Sequence, residues 1–162
     1  MTGSGAGNLQ LIELAKELTE KVHAPPCDYE CLLHPGNTNA WAKIVGLLCE
    51  EKDFVLVEEF TYPSAQALWI PLGIKAVPIP ADAEGLLAQN LRFTLQNWDE
   101  EKRGGPRPRV YVVSKLALST WLCDLTERRL YLVSVGSNPT GITISAPRRT
   151  EIYDICVEFG KK

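Results

Sequence analysis

Apolar residues recur every three or four positions in four stretches of the chain, which is the spacing of one face of an α-helix. The helices predicted from this spacing cover residues 9–22, a segment from about Thr38, residues 91–98 and a segment around residues 152–159. Pro63 stands where a further helix begins, because proline favours the first helical turn. In the last helix Ser145 is the expected N-cap and Pro147 lies in the first turn.

Short continuous apolar runs alternate with these helices. The predicted strands cover residues 54–57, 74–79 and 110–113, and residues 130–133 form a fourth candidate. Runs that are apolar throughout are typical of strands buried on both faces, as in parallel sheets covered by helices. The sequence therefore predicts an α/β fold with a mostly parallel sheet flanked by helices.

Composition narrows the function classes. The net charge of −3 argues against a nucleic-acid partner, which needs a basic surface. Apolar runs fall short of the ~20 residues of a membrane span, so we expect no membrane partner. The five cysteines lack paired spacing and the two histidines are isolated, so we expect reduced thiols, no metal and a cytoplasmic location.

Three loops carry polar residues where a parallel sheet binds ligands, beyond the carboxyl ends of its strands. In the first, residues 34–41, Gly36 at a strand end is followed by Asn37 and Thr38 at the start of a helix. Free backbone N–H groups at a helix N-terminus bind phosphate. Ordinary N-capping by Asn37 or Thr38 is the alternative.

The second and third loops carry an aromatic ring and an amide. Tyr62 follows the strand at residues 54–57, where its ring can stack on a planar ligand or simply lie at the rim of the core. Asn138 lies in a turn bounded by Gly136 and Gly141 and stiffened by Pro139, so its amide is held in place. An amide held in this way can donate a hydrogen bond to a phenolate oxygen.

Taken in order, the three loops and their flanking segments resemble the fold type I aminotransferases, which depend on pyridoxal phosphate. The resemblance is to their fungal aromatic amino acid and 2-aminoadipate group in particular. The matching segments are Gly36-Asn37-Thr38 with Ala40-Trp41, Glu58-Glu59 with Thr61-Tyr62, Asn97-Trp98-Asp99, and Asn138-Pro139-Thr140-Gly141. The last is the most specific. The resemblance covers nearly the whole chain outside residues 114–134 and implies that residues 1–162 are part of the large, cofactor-binding domain.

The resemblance implies a role for each matching residue. Asn37 and Thr38 correspond to the segment that holds the cofactor phosphate, Tyr62 to the aromatic residue on the pyridine ring, and Asn138 to the amide that binds the 3′ oxygen. It also implies amino acid and 2-oxo acid substrates and a homodimer.

In the family, an Asp that pairs with the pyridinium nitrogen and the Schiff-base Lys both follow the Asn-Pro-Thr-Gly turn. We therefore expect residues 1–162 to carry no catalytic lysine and to be incompetent for transamination alone. The alternative is a non-catalytic α/β domain that binds a phosphate or nucleotide, or a full-length aminotransferase partner.

One segment departs from the family pattern. Family members pass from the strand at residues 110–113 to the Asn-Pro-Thr-Gly turn within a few residues, whereas here residues 114–134 intervene. We expect this segment to be an insertion or a retained non-coding stretch. Its residues 130–133 could replace residues 110–113 in the sheet.

Overall fold

The computed structural model describes residues 5–24, 28–108, 112–113 and 130–160. Six α-helices, a single 3-10 turn (Ile70–Leu72) and six short strands lie in these ranges. The helices are α1 (Leu9–His23), α2 (Asn37–Leu48), α3 (Pro63–Trp69), α4 (Ala88–Gln96), α5 (Glu100–Arg103) and α6 (Ala146–Gly160). The strands are β1 (Phe54–Glu58), β2 (Lys75–Ile79), β3 (Ala81–Asp82), β4 (Gly85–Leu86), β5 (Val112–Val113) and β6 (Leu130–Tyr131).

Four strands form one parallel sheet in the order β2-β1-β6-β5. Strand β1 is buried along its whole length, as its continuous apolar run predicts. The α/β class and the parallel sheet are therefore confirmed. The segment at residues 130–133 contributes the strand that pairs directly with β1, and β5 lies outside it at the sheet edge.

Alternate residues of β1 divide the core into two layers. Phe54 and Leu56 face a cluster formed with α4 and α6, while Val55 and Val57 face a cluster formed with α2 and α3. This alternation follows from the two-residue period of a strand. Each face of the sheet is thus covered by a pair of helices, and the carboxyl ends of β1 and β6 point to the same edge.

Some expectations need correction. Residues 28–35 contain no strand, so Gly36 does not follow a strand end. The helix predicted over residues 91–98 ends at Gln96 rather than at Trp98. The loop after it contains α5, for which the Asp99 side chain accepts a hydrogen bond from the Lys102 N–H as an N-cap. The antiparallel hairpin of β3 and β4 was not expected.

Some predictions concern residues outside the described part of the chain. They are the end of the first helix at Pro25 and Pro26, the reduced thiols of Cys27 and Cys123, the first half of the strand at residues 110–113, and the inserted segment over residues 114–129. Of the cysteines that are described, Cys31, Cys49 and Cys156 form no disulfide.

Candidate functional site

The N-terminus of α2 is open to an anion. Gly36 occupies the N-cap position, and no side chain caps the helix. Among the described residues, the first-turn N–H groups of Asn37, Thr38 and Asn39 have no hydrogen-bond partner; the first bond of the helix is Ala40 N–H to Gly36 O, at 3.1 Å. N-capping by Asn37 or Thr38, the alternative raised by the sequence, is therefore wrong. Free amides at the positive end of a helix dipole favour a bound anion.

Aromatic rings hold the first turn of α2 over the sheet. The Trp41 ring lies 5.0 Å from that of Tyr131 and 5.9 Å, edge to face, from that of Trp69. Tyr131 pairs with Val57 near the carboxyl end of β1. The indole N–H groups of Trp41 and Trp69 are buried without an acceptor in the described part of the structure. This packing fixes the open end of α2 relative to that edge of the sheet.

Tyr62 lies at the start of α3, just beyond the carboxyl end of β1. The loop before it is ordered by two hydrogen bonds, from the Glu59 N–H to Ile79 O and from the Thr61 hydroxyl to Glu58 O. The Tyr62 ring is half-buried and packs against the aromatic cluster that contains Trp41. It therefore lies at the rim of the core, beside the helix that carries Asn37 and Thr38.

The Asn-Pro-Thr-Gly turn is a compact loop closed on itself. The Ser137 N–H donates to Ile142 O at 2.8 Å, and the Ile144 N–H donates to Ser134 O at 2.9 Å. The Asn138–Pro139 peptide bond is cis. The side chain of Asn138 is exposed and makes no hydrogen bond to the described residues. Its amide is thus available to a ligand.

A buried carboxylate attaches this turn to β1. Glu58, the last residue of β1, is 6% exposed and accepts a hydrogen bond from the Ser137 hydroxyl at 2.9 Å. Burial raises the pKa of Glu58, and hydrogen bonds from Ser137 and the Val133 backbone oppose that shift. Burial also raises the pKa of the nearby Tyr131 phenol, and the Glu58 charge adds to it.

The structure brings the three predicted loops to one edge of the sheet. Packing of Trp41 and Tyr62 joins the first two, and the bond between Glu58 and Ser137 joins the third. The sequence assigned no role to Ser137 or Tyr131, and Glu58 entered only as part of a segment that carries the resemblance. One signal was present for Glu58, because a carboxyl at the end of a wholly apolar strand needs a buried partner.

The donor set fits pyridoxal phosphate. An uncapped helix terminus suits the phosphate, a half-buried aromatic ring suits the pyridine, and the free amide of Asn138 suits the oxygen on that ring. The described residues hold no cluster of His, Cys, Asp or Glu with the arrangement of a metal site. No helix in the described ranges has the length and apolar character of a membrane span.

Comparison with known proteins identifies the scaffold. No family model matches the chain. An aromatic amino acid aminotransferase of Schizosaccharomyces pombe is 32% identical over 154 residues, 94% of this chain and 28% of the relative. The L-tyrosine:2-oxoglutarate aminotransferase of Tapinella panuoides is 36% identical over 153 residues, again 94% of this chain and 25% of the relative.

The solved structures agree. A crystal structure of an aminotransferase from Candida albicans superposes with a TM-score of 0.78 at 30% identity, over 97% of this chain and 28% of that one. The chain is a relative of the fold type I aminotransferases. It spans about a quarter of the length of the curated aminotransferases it matches. The resemblance read from the three loops and the α/β class are both confirmed by these matches.

Proposed function

We propose that the chain supplies the phosphate, ring and 3′-oxygen contacts of a pyridoxal-phosphate-dependent aminotransferase acting on aromatic or 2-aminoadipate-type amino acids. The observation that carries this proposal is the convergence of the open α2 terminus, Tyr62 and Asn138 on one edge of the sheet. In α/β proteins this edge is where ligands bind.

Each of these groups has a distinct task. Bound pyridoxal phosphate supplies an electron sink for the substrate's α-carbon. The first-turn amides of α2, with Asn37 and Thr38, neutralise the phosphate and fix that end of the cofactor. Tyr62 fixes the tilt of the ring by stacking, and the Asn138 amide donates to the ring oxygen. Together the three contacts orient a planar ligand in three dimensions.

The substrate class rests on the aminotransferases that the chain resembles, which include enzymes for aromatic amino acids and for L-tyrosine with 2-oxoglutarate. An amino acid and a 2-oxo acid are thus the proposed substrates of the whole enzyme, with a homodimer and a cytoplasmic location as further parts of the proposal. The 162 residues alone are proposed to bind cofactor without turnover, because the family's catalytic lysine follows the part matched here.

Borohydride trapping tests the absence of that lysine. The 162-residue chain is incubated with pyridoxal phosphate, reduced, digested and mapped by mass spectrometry. We expect low, scattered labelling of exposed lysines that a protecting excess of pyridoxamine phosphate does not reduce. Stoichiometric, protectable labelling of one lysine would contradict this part of the proposal.

Residues 114–134 are proposed to be an insertion or a retained non-coding stretch. The support is the family pattern, in which one strand leads directly into the Asn-Pro-Thr-Gly turn. Sequencing the transcript across the codons for residues 113–135 tests it. A major message without this segment supports a non-coding origin, and a message that retains it throughout leaves only a true insertion.

Titration with pyridoxamine 5′-phosphate tests cofactor binding, since its amine does not condense with surface lysines. The decisive variant is Gly36→Asp, which places a carboxylate at the open cap of α2. A Cβ at Gly36 meets no atom within 4 Å, so the substitution fits. Asp caps the free amides and repels phosphate, so we expect binding to weaken by about tenfold or more, ~1.4 kcal/mol, with no loss of thermal stability.

Gly36→Ser is the matched control, because it adds a neutral cap of similar size. We expect it to bind pyridoxamine phosphate more tightly than Gly36→Asp does. Asn138→Ala should weaken binding without affecting inorganic phosphate. A folded wild-type chain that binds neither pyridoxamine phosphate nor inorganic phosphate would overturn the proposal.

A further inference from the structure

Ser137 is the anchor of a turn that has little other packing. It is 3% exposed, whereas Asn138, Pro139 and Thr140 are all exposed. The glycines at the two ends of the turn, Gly136 and Gly141, have no atoms within 4 Å of where a Cβ would be. No neighbouring atoms therefore crowd the two ends of the turn.

The turn's hydrogen bonds are of two kinds. Bonds from the Ser137 N–H to Ile142 O and from the Gly136 N–H to the Thr143 hydroxyl lie within the loop and its exit. They keep the loop closed but do not aim it. The bond of 2.9 Å from the Ser137 hydroxyl to Glu58 Oε2 reaches a residue 79 positions away, at the end of β1. This bond joins the turn to the strand that leads to Tyr62.

The Glu58 carboxylate at the end of β1 needs hydrogen-bond donors. Glu58 is almost fully buried, and an ionised group there is costly unless it receives donors. Its donors are the Ser137 hydroxyl and the Val133 backbone N–H, both from the segment that enters the turn. Charge-assisted hydrogen bonds are about twice as strong as neutral ones. The pair thus holds the strand and the turn in one relative position.

We propose that Glu58 is a positioning residue that acts through Ser137 to aim the Asn138 amide at the cofactor's 3′ oxygen. This inference rests on the proposed function, since it assigns the device that places one of its three contacts. It predicts a specific defect. Loss of the bond should remove the contribution of the ring oxygen to binding and leave the phosphate contribution in place.

The test compares two ligands on the 162-residue chain: pyridoxamine 5′-phosphate and its analogue without the 3′ oxygen. The wild type should prefer the former by about tenfold, as expected for a hydrogen bond to a charged group. In Ser137→Ala, and in Glu58→Leu, which keeps the bulk of the side chain but has no acceptor, this preference should fall towards one. Affinity for inorganic phosphate should stay within about twofold of the wild type, which also reports an intact fold.

Two matched controls separate positioning from general damage. Ser145→Ala removes another serine–carboxylate bond, from the Ser145 hydroxyl to Glu84 Oε2 at 3.1 Å, away from the turn. Glu59→Gln removes the exposed neighbouring charge. Both should keep the wild-type preference. The double variant Ser137→Ala/Glu58→Leu should be no worse than either single variant, since both break the same bond.

The outcomes are distinct. If the wild type binds neither ligand nor phosphate while folded, the proposed function fails and this inference fails with it. If the wild type discriminates between the ligands and both variants discriminate equally well, only the inference is overturned. If a variant loses phosphate binding as well, the bond supports the whole site rather than Asn138, which also contradicts the inference.

Discussion

The buried carboxylate at the end of β1 makes stability depend on pH in a predictable direction. Burial raises the pKa of Glu58 above its ordinary value of 4.5, so the folded chain keeps a proton that the unfolded chain has released. The stability that Glu58 contributes is therefore present below pH 4.5 and lost as pH rises through its raised pKa. Glu58→Gln, which cannot ionise, should lack this dependence.

The measurement is urea unfolding of the wild type and Glu58→Gln between pH 4 and 8, read as the difference in unfolding free energy at each pH. We expect the difference to move in favour of Glu58→Gln across the acidic range and to level off above the native pKa. Glu59→Gln controls for the loss of one exposed negative charge. A difference that stays constant with pH would contradict the prediction.

The sequence predicts as site residues those with a recognisable chemical type in a constrained loop, namely Asn37, Thr38, Tyr62 and Asn138. The bond between Glu58 and Ser137 could not be found in the same way. It joins residues 79 positions apart, and which carboxyl meets which hydroxyl depends on strand order. Sequence patterns report local structure, whereas this contact is created by the crossover between β1 and β6.

At the scale of elements, the hairpin of β3 and β4 depends on one glycine. Gly85 has φ +93°, and a Cβ there would lie 2.6 Å from Ile144 Cγ1, whose side chain is fully buried. Gly85→Ala combines a left-handed backbone with an overpacked contact. We expect a loss of about 1–3 kcal/mol in unfolding free energy by chemical denaturation.

Gly46→Ala is the matched control for that substitution. Gly46 lies inside α2, is exposed, and has no atom within 4 Å of a Cβ. Alanine should therefore stabilise α2 by roughly 0.5–1 kcal/mol, because glycine is costly in a helix interior. Equal effects of the two substitutions would show that the contact with Ile144 does not determine the cost.

The same hairpin shows where pattern reading reaches its limit. Helices with several turns and the five-residue strands β1 and β2 have enough apolar positions to be recognised. Strands of two residues, such as Ala81–Asp82 and Gly85–Leu86, carry no period. Their place is fixed by tertiary contacts, including the paired bonds from the Arg148 guanidinium to the Asp82 carboxylate and to Leu86 O.

At the scale of the whole molecule, α1 presents an apolar stripe to solvent. Its exposed members, with their exposed fractions, are Leu11 at 50%, Leu14 at 59%, Leu18 at 48% and Val22 at 60%. A contiguous apolar surface of this kind favours association. We expect the chain to self-associate with rising concentration, and Leu14→Glu/Leu18→Glu to reduce this.

Sedimentation equilibrium at several concentrations measures the effect. Gln10→Glu is the control, since it adds a charge to the same helix without removing an apolar side chain. It should associate like the wild type. A wild-type monomer that melts sharply and whose mass is independent of concentration would contradict self-association through the apolar stripe of α1.

Two segments of the sequence share one strand pattern. Residues 109–114 read Arg-Val-Tyr-Val-Val-Ser and residues 129–134 read Arg-Leu-Tyr-Leu-Val-Ser, twenty positions apart. The second copy contains β6, which pairs with β1 and enters the Asn-Pro-Thr-Gly turn. If residues 114–134 are dispensable, the first copy, at residues 109–114, has the apolar side chains needed to replace β6 beside β1.

Two deletions of equal length test this exchange. Removing residues 110–129 retains the second copy, and removing residues 114–133 joins the first copy directly to Ser134. In the latter, valines replace Leu130 and Leu132, so we expect a loss of about 1 kcal/mol for each missing methylene. Both chains should still melt cooperatively and bind pyridoxamine phosphate, because Ser137 keeps its distance along the chain from the strand. Folding of the first deletion alone would show that β6 cannot be replaced and that the segment at residues 130–134 is an integral part of the sheet.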